Sequence, residues 1–314
     1  MSCTYRNSLL ESDKFYIFLH HSLSVIQVPL DIFATYIILT KTPKFMRNAK
    51  FSMLLLHLTS TWYDIVMTIL TVPVFFFPIQ SAYTLGLVNF FPVPPAVLAY
   101  IGFTSIFLLG SSIIVFFENR YNYLVRYDSD SRSRKIQRAI HHFINYTVAL
   151  TVFLPAVSNV LPQGNAQEIA HRRLFCLPSE VYESSKMIML GVNILIVLTC
   201  LVFYAFSVFL QIIFFFSGTS SYIFKTKSRS KKTETMQKQF FKALCIQVSI
   251  PLIIVIIPFC YIVYTTITEN FNMALSNLAV FWITTHGFFS TVVMLWVHKS
   301  YRVATKEVWK CQKV

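Results

Sequence analysis

Long apolar runs alternate with short polar segments along the whole 314-residue chain. Seven runs stand out, at about 15–39, 51–77, 94–118, 142–161, 187–216, 243–267 and 275–297. Each reaches the ~20 residues that a helix needs to cross roughly 30 Å of hydrocarbon. The pattern therefore predicts seven membrane-spanning helices. Prolines interrupt several runs, at Pro29, Pro73, Pro155, Pro251 and Pro258. Membrane helices tolerate proline because neighbouring groups re-satisfy the freed carbonyl. Pro251 and Pro258 are seven positions apart and fall on nearly one face, where two bends add. That marks the sixth run as a hinge, the alternative being two static packing kinks. No internal repeat is visible, which weighs against a transporter built from inverted halves.

Composition agrees with the pattern. Hydrophobic residues make up 55% of the chain and charged residues 13%, against about 25% charged in an ordinary soluble domain. So apolar a chain is not disordered either. The expectation is one all-α domain over residues 1–314, a polytopic bundle. The 27 basic residues outnumber the 13 acidic ones, a balance that would suggest nucleic acid in a soluble protein. Here their placement matters more. With the N-terminus outside, 22 of the 27 lie on the inner side and five on the outer, with none inside a run. Positive charge collects on the cytoplasmic side, so the N-terminus is expected outside and the C-terminus in the cytoplasm. Residues 1–14 are polar and the first run is long enough to span, so no cleavable leader is expected. Seven helices in this orientation point to a serpentine receptor. Inverted seven-helix families, such as insect-type odorant receptor channels and adiponectin-receptor-like hydrolases, would carry the opposite charge bias.

The third run ends in FFENRYN, residues 116–122. Glu118, Arg120 and Tyr121 there resemble the Asp-Arg-Tyr switch of rhodopsin-like receptors, with Asn119 inserted between acid and arginine. One added residue rotates the acid by about 100° on a helix. The plainer reading of Arg120 is an interfacial side chain that snorkels to lipid phosphate. Further motifs follow a set order: TPKFMRNAK at 42–50, LLHLTSTWYD at 55–64, PVFFFP at 73–78, FENRYN at 117–122 and THGFFSTVVMLWVHKSYR at 285–302. Together they resemble the serpentine receptor class H family of nematode chemoreceptors, a branch of the Str-type superfamily. The resemblance implies a seven-helix receptor in the plasma membrane of sensory neurons. It also implies a small environmental ligand, coupling to a heterotrimeric G-protein alpha subunit, and no cofactor. The runner-up function is a multi-helix channel or transporter acting without G protein.

Asp31 and Asp64 are the acids that fall deep within runs, and Asp64 shares a helical face with His57. Such residues are functional by default and face the bundle interior. Rhodopsin-like receptors keep an Asp at similar depth for sodium, which Asp64 resembles in position. The alternative is a protonated or hydrogen-bonded Asp cementing the first, second and seventh helices, and the seventh run lacks Asn-Pro-x-x-Tyr. The eight histidines do not gather: His20 and His21 lie near one face, His141 and His142 near the other, and His57, His286 and His298 stand apart. No convergent acid, base and metal set can be assembled, so neither an enzyme nor a metal centre is expected. The seventh run has no Lys for a retinal Schiff base.

A ligand is expected between helices in the outer half of the bundle. Tyr100, Phe103, Thr104 and Phe107 share one face of the third run, Tyr261 and Tyr264 lie on the sixth, and Phe281, Trp282 and Thr285 on the seventh. These suit a small, largely apolar molecule, although 31 Phe and 16 Tyr also place aromatic residues on every face as ordinary packing. Residues 92–100 hold no Cys, so the usual bridge from the third helix of rhodopsin-like receptors is missing. Cys3 and Cys176 both fall on the oxidising side, where they either pair or remain free thiols. The basic loop around Ser228 and Ser230 can attract anionic lipid at about 1 kcal/mol per basic residue, and phosphorylation there would reverse its charge. Cys311 is a candidate for palmitoylation.

Overall fold

The computed structural model describes residues 2–43, 46–174, 176–177, 187–190, 194–225 and 231–311. Ser228 and Ser230 lie outside the described residues, as do the side chains of Pro251 and Cys311. The chain forms a seven-helix bundle. Its spans are Asp13–Lys41, Arg47–Ile65, Pro95–Val125, Arg132–Thr151, Ile194–Lys225 and Lys231–Thr268, followed by a seventh in two pieces, Met273–Thr284 and His286–Val297. Six of these are long and apolar enough to cross a membrane, and the sixth span carries a further apolar stretch, Ile253–Thr268. The first and sixth spans run unbroken through Pro29, Pro251 and Pro258.

The apolar runs mark the hydrocarbon, and the helices outlast them. The third span continues to Val125, the fourth starts at Arg132 and the sixth at Lys231, all with polar or basic residues that extend the helix beyond the apolar stretch. The second run behaves differently. The helix expected to reach residue 77 loosens into a π turn at Val66–Leu70, and Val72 takes a positive φ of 40°. From there Pro73–Phe76 (β1) pairs antiparallel with Ser81–Thr84 (β2), and Ile188–Met189 (β3) joins as a third strand. An apolar run alone does not separate strand from buried helix; Pro73 and the aromatic residues after it favour the extended form. Residues 188–189, at the start of the fifth run, belong to the sheet, and the fifth helix is described from Ile194.

This sheet caps one end of the bundle, and beneath it lies an apolar core that includes Tyr16, Phe76, Tyr83, Leu174 and Phe271. Tyr16 donates its hydroxyl to the Pro73 carbonyl at 3.0 Å and Tyr83 donates to Asp13 at 2.7 Å. Burial and the adjacent Asp13 carboxylate push the Tyr83 phenol above its ordinary pKa. The N-terminal segment is drawn onto the same cap. Ser2–Thr4 runs parallel to Asn270–Asn272, with Cys3 opposite Phe271. Glu11, buried, accepts hydrogen bonds from the backbone N–H groups of Arg6 and Ser8. A disulfide joins Cys3 to Cys176, residues 173 positions apart in sequence.

The opposite end is basic. A helix over Lys299–Cys311 follows the seventh span and packs Tyr301 and Ala304 into a second core with Ile37, Met53 and Phe116. The Tyr301 hydroxyl lies 2.9 Å from that of Thr42, tying this helix to the turn between the first two spans. In the loop after the third span, Arg126 holds the Asp128 carboxyl below its usual range through a bidentate pair at 2.9 Å.

The disulfide closes a very long loop onto the three-residue strand paired with Asn270–Asn272. Replacing Cys3 and Cys176 by Ser is expected to cost about 2–4 kcal/mol. Thermal unfolding of the purified protein should show a lower midpoint and lose its sensitivity to reductant.

Candidate functional site

Three groups of buried side chains need an account: the acid and arginine at the basic end of the third span, the carboxylates in the interior, and the aromatic residues nearer the cap. Glu118 and Arg120 are two positions apart on one helix, so about 200° separates them and they leave on different faces. Glu118 is 1% exposed and points at the fourth span. Its carboxylate accepts from Arg134 Nη2 at 3.0 Å and from Arg138 Nε at 3.0 Å, with His142 Nε2 at 3.4 Å. Where the resemblance to the Asp-Arg-Tyr switch would set the acid beside the arginine, Glu118 instead clasps the third span to the fourth. The physical reason is the inserted Asn119, which is itself engaged. It donates to the Asn48 carbonyl at 2.7 Å and accepts from Arg138 at 3.0 Å. The signal for the clasp was in the sequence: Arg134, Arg138 and His142 recur every four residues and so share one face.

Arg120, 6% exposed, turns the other way, within electrostatic reach of His298 and Tyr301. His298 in turn lies 3.0 Å from Gln247 of the sixth span. A line of polar groups thus runs from the third span across the seventh to the sixth. Tyr121 leans on Phe214 and Phe215 of the fifth span, both at 5.6 Å between ring centres.

In the interior, Asp31 and Asp64 are both buried among the first, second and seventh spans. Asp31 accepts from Thr291 at 2.9 Å, and its backbone carbonyl receives His57 Nε2 at 3.1 Å. Asp64 lies 3.7 Å from His286 Nδ1 and rests directly on Gly287. A Cβ at residue 287 would come within 1.8 Å of Asp64 Oδ2, so only glycine lets the two helices meet here. His57 and Asp64 share a face as expected from their spacing, yet each addresses a different neighbour.

The residues expected to line a ligand pocket make several separate contacts among the described residues. Phe103 and Phe107 pack on Phe153 beyond the fourth span, at 4.2 and 5.9 Å, and Phe107 also meets Tyr204 of the fifth. Tyr100 donates to the Leu150 carbonyl at 2.8 Å, and Thr104 is buried beside them on the third span. Tyr261 reaches the Asn272 carbonyl, Phe281 packs against His20, and Thr285 bonds back to its own helix at Trp282. Tyr264 and Trp282 are 53% and 46% exposed, on the outside of the bundle. With aromatic residues this abundant, one face of each helix meets lipid as readily as protein. Pro258 is buried, three residues before Tyr261 on the sixth span.

Fold and buried groups together define a multi-pass membrane protein whose polar residues join neighbouring helices. From residue 11 to residue 311 the chain matches the family described as serpentine type 7TM GPCR chemoreceptor Srh, and it belongs to that family. It is also 25% identical over 301 residues to serpentine receptor class H-72 of Caenorhabditis elegans, covering 91% of this chain and 83% of that relative. The family is one of chemoreceptors, a non-enzymatic class.

The contact between Asp64 and Gly287 makes a sharp test. Gly287→Ala should destabilise the bundle by about 1–3 kcal/mol, as overpacking does, because the clash falls on a buried carboxylate. Gly102→Ala, where a Cβ meets nothing within 4 Å, should be nearly neutral. Thermal unfolding of the two variants beside the parent distinguishes them.

Proposed function

We propose that this protein is a chemosensory receptor of the plasma membrane of sensory neurons. In this reading it detects a small, largely apolar environmental molecule and activates a heterotrimeric G protein through the basic end of the bundle. Family membership supports the receptor class. The basic end faces the cytoplasm in this reading, since 22 of the 27 Lys and Arg residues gather there. A disulfide at the cap end fits an oxidising exterior.

The observation that carries the coupling mechanism is the line from Arg120 to His298 to Gln247. Arg120 is covered in this state, so it serves a G protein only when uncovered. An outward swing of the sixth span about Pro251 and Pro258 would break the His298–Gln247 contact and open a cleft beside Arg120. A helix of the G-protein alpha subunit would then enter, in a helix-in-groove mode. Tyr121 holds the fifth span against the third while this happens. The ligand acts from the cap side, against Tyr100, Phe103, Thr104 and Phe107 of the third span with Tyr261, Phe281 and Thr285, by shifting the population of the open form.

Calcium responses of cells expressing the chain, challenged with a ligand panel with and without a G-protein alpha subunit, test the reading. A response that needs the alpha subunit supports it; a current that persists without it favours a channel. Arg120→Ala should abolish activation while surface delivery and ligand binding persist. Glu118→Gln should raise basal signalling by loosening the fourth span from the third, and replacing Arg134 and Arg138 together by Gln should do the same. G-protein activation at matched surface expression is the measurement, and a normal agonist response in Arg120→Ala would overturn the mechanism.

A further inference from the structure

A loop that joins two spans ordinarily runs over a wet surface and is polar. The loop between the second and third spans is not. Between Asp64 and Glu118 the sequence holds no Asp, Glu, Lys, Arg or His, so the hairpin of the cap and the turn after it carry no charge. The rest of the cap differs: the helix Gln163–Arg173 shows Glu168 and Arg172 to the outside as an exposed ion pair at 2.6 Å. One wing of the cap is built for water and the other is not. The dry wing is Leu87–Phe90, a single 3-10 turn that leads through Pro92, Pro94 and Pro95 into the third span.

This turn shows its apolar side chains and withdraws its polar groups. Phe90 and Phe91 are 83% and 61% exposed, and Leu87 and Val97 are exposed as well. Asn89, the one polar side chain from residue 87 to residue 97, spends its amide on Thr84. It accepts from the threonine hydroxyl at 2.8 Å and donates to the threonine carbonyl. The backbone N–H groups of Asn89, Phe91 and Val93 turn back to the carbonyls of Gly86, Val88 and Phe91, and the three prolines have no donor. Lipid demands such economy and water does not. The depth of the turn is fixed at its start. Gly86 donates to the Thr71 carbonyl at 2.9 Å, and a Cβ there would run into the Leu70 carbonyl oxygen at the end of the second span. From Lys50 to Leu70 that span rises about 30 Å, the thickness of the hydrocarbon. Gly86 therefore holds the turn at the boundary of the acyl chains.

We propose that residues 87–97 dock into the bilayer, with Phe90 and Phe91 among the acyl chains, and so anchor the cap to the membrane. The leaflet is the outer one in the orientation proposed above. A protein partner is the poorer match for this surface. Interfaces between proteins carry about one hydrogen bond per 100–200 Å², and this turn has spent its polar groups on itself. Acyl chains ask for none.

The test is photocrosslinking of the full-length protein in phosphatidylcholine liposomes, with benzoylphenylalanine replacing Phe90. The same replacement of Phe203, exposed on the fifth span, and of Glu168, exposed on the charged helix, supplies the lipid-facing and water-facing references. Mass spectrometry should find lipid adducts at residue 90 at a yield comparable to residue 203. That yield should be about tenfold above residue 168, the population ratio that burying one phenylalanine ring supports. Phe90→Trp reads the same depth without a reaction. The fluorescence it adds to the parent's should be quenched by phosphatidylcholine brominated on its acyl chains and spared by iodide in the water. A lipid yield at residue 90 no higher than at residue 168, adducts that join two copies of the chain in place of lipid, or quenching by iodide alone would overturn the proposal.

Discussion

Inside hydrocarbon no water is at hand, so each polar group must find its partner within the protein. Much of this structure answers that one requirement. Hydroxyls turn back to the carbonyl four residues earlier, as Thr35 does to Asp31 and Thr68 to Asp64. Hydroxyls and amides that cannot do so reach across to another helix. Ser111 and Ser112 meet Tyr204 and Tyr146, and Asn145 bonds Gln211. These crossings, more than apolar contact, fix which helix lies beside which, because lipid competes with side chains for apolar contact alone.

The seven spans and their membrane character were legible in the sequence, since hydrophobic length answers directly to bilayer thickness. The boundaries were less so. Residues 66–77 are as apolar as the helix before them, and only Pro73 and the aromatic run hinted that the chain leaves the helix to build a cap. The pairing of that hairpin with residues 188–189 is a contact across more than a hundred positions, which no local pattern encodes. Candidate residues divided in the same way. Depth was readable for Asp31 and Asp64, which are buried, while Glu118 and Arg120, read at the cytoplasmic edge of the third run, are buried as well. Partners were not, because azimuth around a helix matters and a neighbour's identity depends on packing. The aromatic residues were the hardest to read, since their abundance removes the contrast by which a pocket would be recognised.

The inserted Asn119 shows how a small change in spacing redirects a whole end of the bundle. Had the acid stood next to the arginine, one helix could have neutralised its own charges. Separated by one residue, the two face different helices, the acid the fourth span and the arginine the end of the seventh. Asn119 fills the gap by bonding the second span and Arg138 at once. Four helices are thereby committed to a motif that elsewhere concerns one.

Gly287 also sets a limit on how the bundle moves. It is a notch one residue wide, and Asp64 sits in it. Sliding the seventh span by one helical turn, about 5.4 Å, would bring Ile283 or Thr291 under the carboxylate, and neither leaves room for it. The seventh span can therefore tilt or rotate about that point but cannot travel along the second. In mechanical terms it is a pivot, and the sliding parts of this machine must be sought among the helices that lack such a keyway.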